Sequence, residues 1–569
     1  MRPSDRPGAR AATLLLVATL PAALAACGAG PMGALRFANR PVVTRVDDRR
    51  PVPEPPQPTR SERGAYAVDH LFRAPVLHTL QFLPRVEAQN INALGEVPDS
   101  TWFHNRVGVR PVPAAELRRG DPPSGPFDVL DAKHGGGEPG FIIRDPRGRR
   151  YLLKFDEPEA PELQTGADAV VSRLLWLVGY DVPEDHVIEI RRADLQVVAP
   201  DPADDAHRPD AADIDQTLAL VARQPDGGYR ALVSRMLAGE PLGGYALMGT
   251  RPGDPNDRVP HQHRRDVRAQ AIFFNWLGHT DIKLGNTLDM LVEEPPGSGR
   301  RFVRHHLVDF GLALGGKDHG LRESSDGFAP RFSYRWAAIS TLTFGLYRRP
   351  WEGIEPVGLR GLWRFPIDRF RPDIYSPAIP YTPFDYTDRF DGFWAARVLA
   401  RVTPEHIREA VAAGRYSDPR TVEYLERALW ARRNMTLRYW FQQVDPLADF
   451  AVSPETGAGA QARWRICGRD LLLASGLAPG DEGSAPPPTR YELSTWDAAG
   501  DATGWEQTVE ASEDGAFCAA GVPAADGAER YTIVSVVTRR GDQLLEPVWL
   551  HLAVDPATAE PRLIGVDRR

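Results

Sequence analysis

The chain has 569 residues, of which 42% are hydrophobic and 25% charged, so it is a globular protein too long for one ordinary domain, and two to four are expected. Its formal charge of −8 gives no reason to expect a nucleic-acid partner. Only four of its 68 basic residues are lysines, namely Lys133, Lys154, Lys283 and Lys317. Because arginine is the usual cation in this chain, a position that keeps lysine is one that needs a compact ammonium group.

The N-terminus has the pattern of an export signal. Three arginines precede an apolar run over residues 11–20, which is too short to span a bilayer. The run leads to Leu24-Ala25-Ala26-Cys27, which resembles the lipobox of bacterial lipoproteins, in which the cysteine is acylated. We therefore predict a signal peptide over residues 1–26 and a lipidated Cys27 that anchors an exported protein to a membrane, at the periplasmic or outer-membrane face. A plain secretory signal with a chance cysteine is the alternative.

Two segments separate this signal from the first strands. Residues 27–60 are rich in proline and arginine, a composition that predicts an extended tether. Residues 61–125 form an N-terminal extension that contains the stretch PDSTWFHNRVG. No later segment is apolar enough to predict a transmembrane helix, so Cys27 is the one membrane anchor that the sequence predicts.

The next region combines strand and helix signals. The runs Phe141–Arg144 and Tyr151–Phe155 flank the turn Asp145–Gly148, which predicts a hairpin, and the glycine-rich turn KHGGGEPG comes just before it. A run that opens at Pro161-Glu162 then carries apolar residues every three or four positions and ends at Gly179. This spacing predicts an amphipathic helix.

Beyond residue 240 the pattern is mainly helical. A long helix is predicted over residues 259–277, followed by a hairpin made of TLDMLVEE and RRFVRHHLVDFG, and the helical pattern returns over residues 388–441. After Pro446, short alternating runs such as RYTIVSVV and PVWLHLAV predict a separate β-sandwich-like domain over residues 448–569. The chain is therefore expected to combine helices and strands in an α+β arrangement.

Two cysteines, Cys467 and Cys518, lie in this last domain. In an exported protein they could form a disulfide. A bridge that closes a loop of about fifty residues should stabilise the domain by roughly 3–4 kcal/mol, because it lowers the entropy of the unfolded chain.

Two motifs in the middle of the chain carry the functional signal. HTDIKLGN, which begins at His279, reads H-x-D-x-K-x-x-N, and Asp309-Phe310-Gly311 follows the second hairpin. HTDIKLGN and VDFG resemble the catalytic loop and the metal-binding loop of the protein-kinase superfamily, and YLLKFD resembles its lysine-bearing third strand. The resemblance covers roughly residues 126–447 and extends to uncharacterised bacterial kinase-like proteins. It implies a bilobal fold, with a smaller lobe over residues 126–240 and a helical lobe over 241–447.

The resemblance also implies ATP and Mg²⁺, or Mn²⁺, as cofactors, because phosphoryl transfer needs anionic oxygens to be positioned and neutralised. In the family's arrangement Asp281 would accept the proton of the acceptor hydroxyl, and Lys283 would contact the γ-phosphate. Asn286 and Asp309 would hold the metal ion. His279 is expected to brace the backbone of the loop rather than to take part in the chemistry.

The family's nucleotide contacts fall on the first hairpin and the helix after it. Lys154 would grip the α- and β-phosphates, and four glycines would let the main chain approach them: Gly135, Gly136, Gly137 and Gly140. A flexible hairpin tip is the alternative for these glycines. The ion-pair partner of Lys154 is either Asp168, at mid-helix where the family places its acid, or Glu162 at the helix start. Position favours Asp168.

Several features set the chain apart from eukaryotic protein kinases. The glycine-rich turn is HGGGEPGF rather than G-x-G-x-x-G-x-V, and Asp309 follows Asp281 by 28 residues. No A-P-E sequence follows the DFG tripeptide, so recognition of a peptide substrate is not supported and no motif identifies the acceptor. These departures indicate an atypical branch of the superfamily.

Three functions remain open on the sequence. The leading hypothesis is a membrane-anchored, ATP- and Mg²⁺-dependent phosphotransferase, because Asp281, Asn286 and Asp309 are all present. The alternative is a catalytically silent, pseudokinase-like binding or scaffold lipoprotein of the cell envelope, since free ATP is expected to be scarce outside the cytoplasm. A structural envelope lipoprotein that works through its β-domain is the third hypothesis, and little in the sequence favours it.

Overall fold

The computed structural model describes residues 36–59, 72, 76, 86–133, 138–198, 208–317, 320–321, 323–330, 333–455, 462–477 and 487–568. The predicted signal peptide, the predicted lipidation site Cys27 and the glycines at 135–137 lie outside these residues. Over the described part the protein is a mixed α/β structure. Within that part, no helix is both long enough and apolar enough to cross a membrane.

A six-stranded sheet comes first along the chain. Its strands are β1 Phe127–Ala132, β2 Gly140–Arg144, β3 Arg150–Phe155, β4 Asp185–Ile190, β5 Leu195–Val197 and β6 Tyr229–Arg235. The order across the sheet is β4-β6-β3-β2-β1-β5, in which β1 and β5 are parallel and the other neighbours are antiparallel. The predicted hairpin of β2 and β3 is confirmed, and its register sets Gly140 opposite Lys154.

Two helices cover the faces of this sheet. Helix α1, Leu163–Val178, packs on one face, where Ala169 contacts the sheet residue Val187. Helix α2, Ala211–Ala219, covers the other face and buries Ile214 in its apolar cluster. The central strand β3 is therefore shielded from water on both sides, and so is the lysine that it carries.

The next part of the chain is mainly helical. Its helices are α3 Arg265–Arg268, α4 Gln270–Leu277, α5 Tyr334–Leu342, α6 Thr382–Asp385, α7 Arg389–Ala400, α8 Pro404–Ala413 and α9 Pro419–Trp440. Its strands are β7 Glu240–Pro241, β8 Thr287–Glu293, β9 Arg301–Leu307, β10 Gly316–Lys317 and β11 Gly320–Leu321. The predicted hairpin of β8 and β9 is confirmed, with Thr287 opposite Leu307.

The single long helix predicted over residues 259–277 is wrong. The segment contains a 3-10 turn at His261–His263, an extended Arg264, and then the two short helices α3 and α4. The fully buried His261 ring is held on one side by the Asp257 carboxylate, 2.7 Å away, and on the other by the Ala246 carbonyl. These contacts fix the chain in a turn before the helix can begin.

One large apolar core joins α1 to α4, α7, α8 and α9. In it, the buried Trp276 of α4 donates its indole N–H to the Leu429 carbonyl of α9 at 2.9 Å. The stretch PDSTWFHNRVG contributes to the same core, because Trp102 stacks on His305 of β9 with ring centroids 3.5 Å apart. This stretch is therefore part of the apolar core, which explains its aromatic content.

Residues 36–59 differ from the free tether that the sequence predicts. The Phe37 N–H donates to the Tyr531 hydroxyl at 3.0 Å, and the N–H groups of Val52 and Thr59 donate to carbonyls of β9 and of the β7 region at 2.8 Å. Proline explains the extended path, but the remaining backbone donors find acceptors on the folded chain. Residues 36–59, called the strap below, therefore lie along the folded protein.

The last part of the chain consists of strands and one short helix. The strands are β12 Leu447–Glu455, β13 Arg463–Asp470, β14 Thr489–Trp496, β15 Ala502–Glu510, β16 Ala516–Pro523, β17 Thr532–Arg540, β18 Gln543–Leu544, β19 Val548–Val554 and β20 Pro561–Asp567, and the helix is α10 Leu471–Ala474. β12, β13 and β16 form one sheet and the other strands a second. Residues of both sheets, such as Ile466 and Val534, share one buried cluster. Cys467 and Cys518 face each other on β13 and β16 and are disulfide-bonded.

Candidate functional site

Lys154 lies at the centre of the candidate site. Strand β3 holds it between β2 and β6, and its side chain is almost fully buried. Its Nζ lies 2.6 Å from Oδ1 of Asp309 and 3.4 Å from Oδ2 of Asp168. Burial lowers the pKa of Lys154, but the facing carboxylates Asp168 and Asp309 outweigh it and hold that pKa well above its ordinary value. The lysine is therefore charged and bridges two segments of the chain.

Asp168 joins helix α1 to the Asp309-Phe310-Gly311 segment. Its carboxylate faces Lys154 and also accepts the backbone N–H of Phe310. Burial raises the pKa of Asp168, while Lys154 opposes this shift and the like-charged Asp309 adds to it. Of the two acids that the sequence offers as partners of Lys154, the structure places Asp168 beside it.

Glu162 lies elsewhere. It precedes helix α1 in a left-handed conformation, with φ of +71°, and its carboxylate accepts from Arg360 at 2.5 Å and from the Ser417 hydroxyl at 2.6 Å. These partners belong to the helical part of the chain, so Glu162 fastens the start of α1 to that part. The carboxylate that the sequence offers as the alternative partner of Lys154 is therefore engaged elsewhere.

The loop between α4 and β8 carries the H-x-D-x-K-x-x-N motif. Helix α4 ends at Gly278, whose φ of +63° is a left-handed conformation suited to glycine. In the loop, Oδ2 of Asp281 lies 2.7 Å from Nζ of Lys283 and 3.1 Å from Nδ2 of Asn286. Nδ2 of Asn286 also lies 3.5 Å from the carbonyl of Asp309. The structure therefore brings together four of the residues that the sequence predicts for catalysis and metal binding.

His279 braces this loop. Its ring packs edge-on against Phe274 of α4 and Phe310, with centroid distances of 4.9 and 5.8 Å. Its carbonyl accepts the Tyr375 hydroxyl at 2.6 Å. These contacts fix the path of the backbone toward Asp281, which agrees with the structural role expected from the sequence.

Asp309 is ionised because lysine side chains act on its carboxylate. Burial raises its pKa, but Lys154, followed by Lys133 and Lys283, overcomes this and lowers the pKa of Asp309 to about 2. Asp309 is 37% exposed at its side chain and has a φ of +66°, a left-handed conformation that is unfavourable for a residue other than glycine. Lys154 therefore pairs directly with an ionised carboxylate, and Lys133 and Lys283 also favour its ionised form.

The glycine-rich turn is described at its two ends. At one end, Nζ of Lys133 lies 2.6 Å from the Glu138 carboxylate. At the other end, a Cβ added to Gly140 would meet the Leu153 carbonyl at 2.1 Å, so this glycine is required for close approach of strand β3. Gly140 thus has a structural role, in addition to the contact with a phosphate that the sequence predicts. Gly135, Gly136 and Gly137 lie outside the described residues.

The donor set fits a nucleotide with a hard divalent cation. Mg²⁺ is usually held in proteins by one or two carboxylates and by phosphate oxygens. Asp309 offers an ionised carboxylate, and Asn286 donates from its amide nitrogen to Asp281 and carries an amide oxygen, which is a ligand type for a hard cation. Among the described residues, no cluster of three or more His, Cys, Asp or Glu side chains is arranged to hold a metal by itself. A cation held here would need further oxygen ligands from a bound molecule.

Sequence reasoning missed two groups in the site. Glu138 was not singled out, although it lies five residues after Lys133 across the glycine-rich turn, a spacing at which opposite charges meet. Tyr375 was also missed, and it carries no local signal because 96 residues separate it from His279.

Comparisons with family models, with curated proteins and with solved structures find no match to this chain. Its function therefore has to be inferred from the geometry of the site.

Proposed function

We propose that this chain is an ATP- and Mg²⁺-dependent phosphotransferase with an atypical kinase-like domain, exported and anchored to a membrane through a lipidated Cys27. The observation that carries the proposal is the meeting of Lys154, Asp168 and Asp309 beside the loop of Asp281, Lys283 and Asn286. Lysine is scarce in this chain, yet Lys133, Lys154 and Lys283 each pair with a carboxylate in this region, and ammonium groups of this kind suit a polyphosphate with its metal ion.

The arrangement of the chain supports a bilobal, kinase-like fold as part of this proposal. The six-stranded sheet with α1 would be the smaller lobe, and the region from β7 to α9 the larger, helical lobe. Lys154 and Asp168 come from the first, and Asp281, Asn286 and Asp309 from the second, so the candidate site lies between the two. The two C-terminal sheets with their shared apolar cluster would form a β-sandwich-like domain.

In this proposal each polar group has a distinct task. The nucleotide and its Mg²⁺, when bound, supply the phosphoryl group and neutralise its charge. Asp309 and Asn286 would hold the cation, and Lys154 would bind phosphate oxygens while Asp168 fixes its position. Asp281 would orient the acceptor hydroxyl and take its proton as the hydroxyl oxygen bonds to the γ-phosphorus and the nucleoside diphosphate leaves. Lys283, 2.7 Å from Asp281, would neutralise charge on the transferred phosphoryl group.

One observation favours the alternative of a silent binding or scaffold protein. Asp281 is already engaged by Lys283 and by Asn286, and Asp309 by Lys154, so the cleft neutralises its own acids without a ligand. A cleft of this kind can bind an anion without turning it over. The two functions differ in whether phosphate leaves the nucleotide.

Calorimetry and a transfer assay on the same preparation test the proposal. We expect ATP to bind in the presence of Mg²⁺ or Mn²⁺ and to bind more weakly in excess chelator, and we expect phosphate release or self-labelling. Binding without transfer would favour the scaffold alternative. If no nucleotide binds with either metal, both functions are wrong and HTDIKLGN is a structural element only.

A further inference from the structure

Helix α5 and the loop after it lie on the surface of the protein. Among the described helices of eight or more residues, α5 differs from the others in having no buried residue. Helices in globular proteins normally bury one apolar face, so a helix without such a face is not explained by the folding of this chain.

The end of α5 carries a group of exposed apolar residues, here named the apolar tip. Leu342, Phe344, Leu346 and Tyr347 are 79%, 91%, 85% and 49% exposed. Phe344 has a φ of +49°, a left-handed conformation that is unfavourable for an aromatic residue. The Phe344 ring is 91% exposed, so its burial does not offset the cost of this backbone conformation. A contiguous apolar patch of this kind marks a site of interaction.

The apolar tip is mounted on a packed base. Trp336 of α5 meets Trp351 edge-on, with ring centroids 4.8 Å apart, and Trp351 is buried with Ala329 and Ile354. Arg349 donates to the hydroxyl of Ser340, which ties the two ends of the segment together. The tip is therefore attached to the protein through a base of specific contacts.

The charged residues next to the tip in the sequence are mainly basic. From Ser333 to Trp351 the sequence contains Arg335, Arg348 and Arg349 and no acidic residue, and Glu352 follows, whereas the whole chain has a net charge of −8. Arg335 and Arg348 are exposed. Apolar and aromatic side chains flanked by arginine suit the boundary between acyl chains and anionic headgroups. A second copy of the same surface would bring like charges together, which disfavours self-association through the tip.

We propose that the apolar tip inserts into the interfacial layer of an anionic lipid bilayer, with Arg335 and Arg348 contacting lipid phosphates. Leu342, Phe344 and Leu346 would leave water for the acyl boundary, and Tyr347 would lie at headgroup depth, where one end of its ring system is apolar and the other polar. This contact is independent of acylation at Cys27 and of phosphoryl transfer. It would orient the face that carries α5 toward the membrane.

Flotation with lipid vesicles tests the proposal. The chain from residue 28 onward retains every described residue and lacks Cys27, so the contact can be measured without an acyl anchor. We expect it to float with vesicles of phosphatidylcholine and phosphatidylglycerol, less at high salt, and weakly with phosphatidylcholine alone. The double variant F344S/L346S should lose at least about tenfold in vesicle affinity, because each side chain forfeits the burial of its apolar surface.

A matched control separates this contact from general stickiness. Leu544 is 55% exposed and lies on β18, away from the arginine-flanked segment, so L544S should float like the unsubstituted chain. R335E/R348E should lower binding to anionic vesicles and flatten its salt dependence. The proposal is overturned if the unsubstituted chain does not float, or if F344S/L346S floats equally well with unchanged thermal unfolding. Association of the chain with itself that F344S/L346S abolishes, without vesicle binding, would also overturn it.

Discussion

Lys154 and Asp309 form an ion pair at 2.6 Å although 155 residues separate them in the chain. The pair joins a strand of the six-stranded sheet to the segment that follows β9, and Asp168 of α1 completes it from a third element. The Lys154 side chain is only 8% exposed, so the space between the two acids suits a compact ammonium group rather than a larger cation. The site can therefore be tested one group at a time.

The first prediction concerns the proposed metal ligand Asp309. D309N removes the carboxylate charge that Asp309 offers to a cation, so Mg²⁺-dependent nucleotide affinity should fall by at least about tenfold, as is common when the surroundings of a metal are altered. Calorimetry with an ATP analogue, with and without Mg²⁺, measures the change. D368N is the matched control, because Asp368 is 82% exposed and lies outside the site. Equal affinities of the two variants would contradict the assignment.

The second prediction separates binding from transfer. D281N keeps the size of the side chain but cannot accept a proton, so transfer should fall by about 10²–10⁴ while nucleotide affinity stays nearly unchanged. A self-labelling or phosphate-release assay beside calorimetry gives both quantities. A silent scaffold would instead show no transfer in either protein. A parallel loss of nucleotide affinity would assign Asp281 to binding rather than to the reaction.

The third prediction concerns the choice of lysine at position 154. K154R keeps the charge, but a planar guanidinium does not fit the space between Asp168 and Asp309 that an ammonium fills. Nucleotide affinity should therefore fall, although the variant is formally conservative. Thermal unfolding of the same preparation shows whether the fold is retained. Unchanged affinity in a folded K154R would mean that the scarcity of lysine in this chain carries no functional information.

The local parts of this structure were predictable from the sequence. Both hairpins depend on short turns between alternating strands, so the residues that determine them are neighbours. The loop from His279 to Asn286 is likewise local, and its spacing places Asp281 beside Lys283. For such elements the sequence pattern and the final contacts involve the same few residues.

The features that the sequence left open or predicted wrongly depend on distant partners. Glu162 is held by Arg360 and Ser417, which lie 198 and 255 residues further along the chain. The strap over residues 36–59 reads as a proline-rich tether because its acceptors, such as the Tyr531 hydroxyl, are hundreds of residues away. Helix propensity over residues 259–277 was overridden by the buried anchors of His261. None of these partners leaves a local pattern in the sequence.

The fourth prediction concerns the disulfide between Cys467 and Cys518. The bridge closes a loop with a sequence separation of 51 residues, and it links two neighbouring strands of one sheet. Replacing both cysteines by serine should lower the free energy of unfolding of this part of the chain by about 3–4 kcal/mol, because the unfolded chain regains entropy. Denaturant unfolding measures the loss. Non-reducing mass mapping of the unsubstituted protein is the control, and two free thiols would contradict the pairing.

The last prediction is a pH dependence that arises at the junction between α9 and β12. Asp445 is buried there, with its Oδ2 accepting the Thr538 hydroxyl at 2.7 Å, and burial raises the pKa of Asp445 from 3.8 to about 7. A raised pKa means that the folded state keeps a proton that the unfolded state has released. The contribution of this group to stability is therefore complete below about pH 4 and is lost as the pH rises toward 7, at about 1.4 kcal/mol for each unit between the two pKa values.

D445N stays neutral at every pH, so its unfolding free energy should decline less between pH 4 and 7 than that of the unsubstituted chain. Urea unfolding at a series of pH values gives the two slopes, and equal slopes would show that Asp445 is ionised in the folded protein.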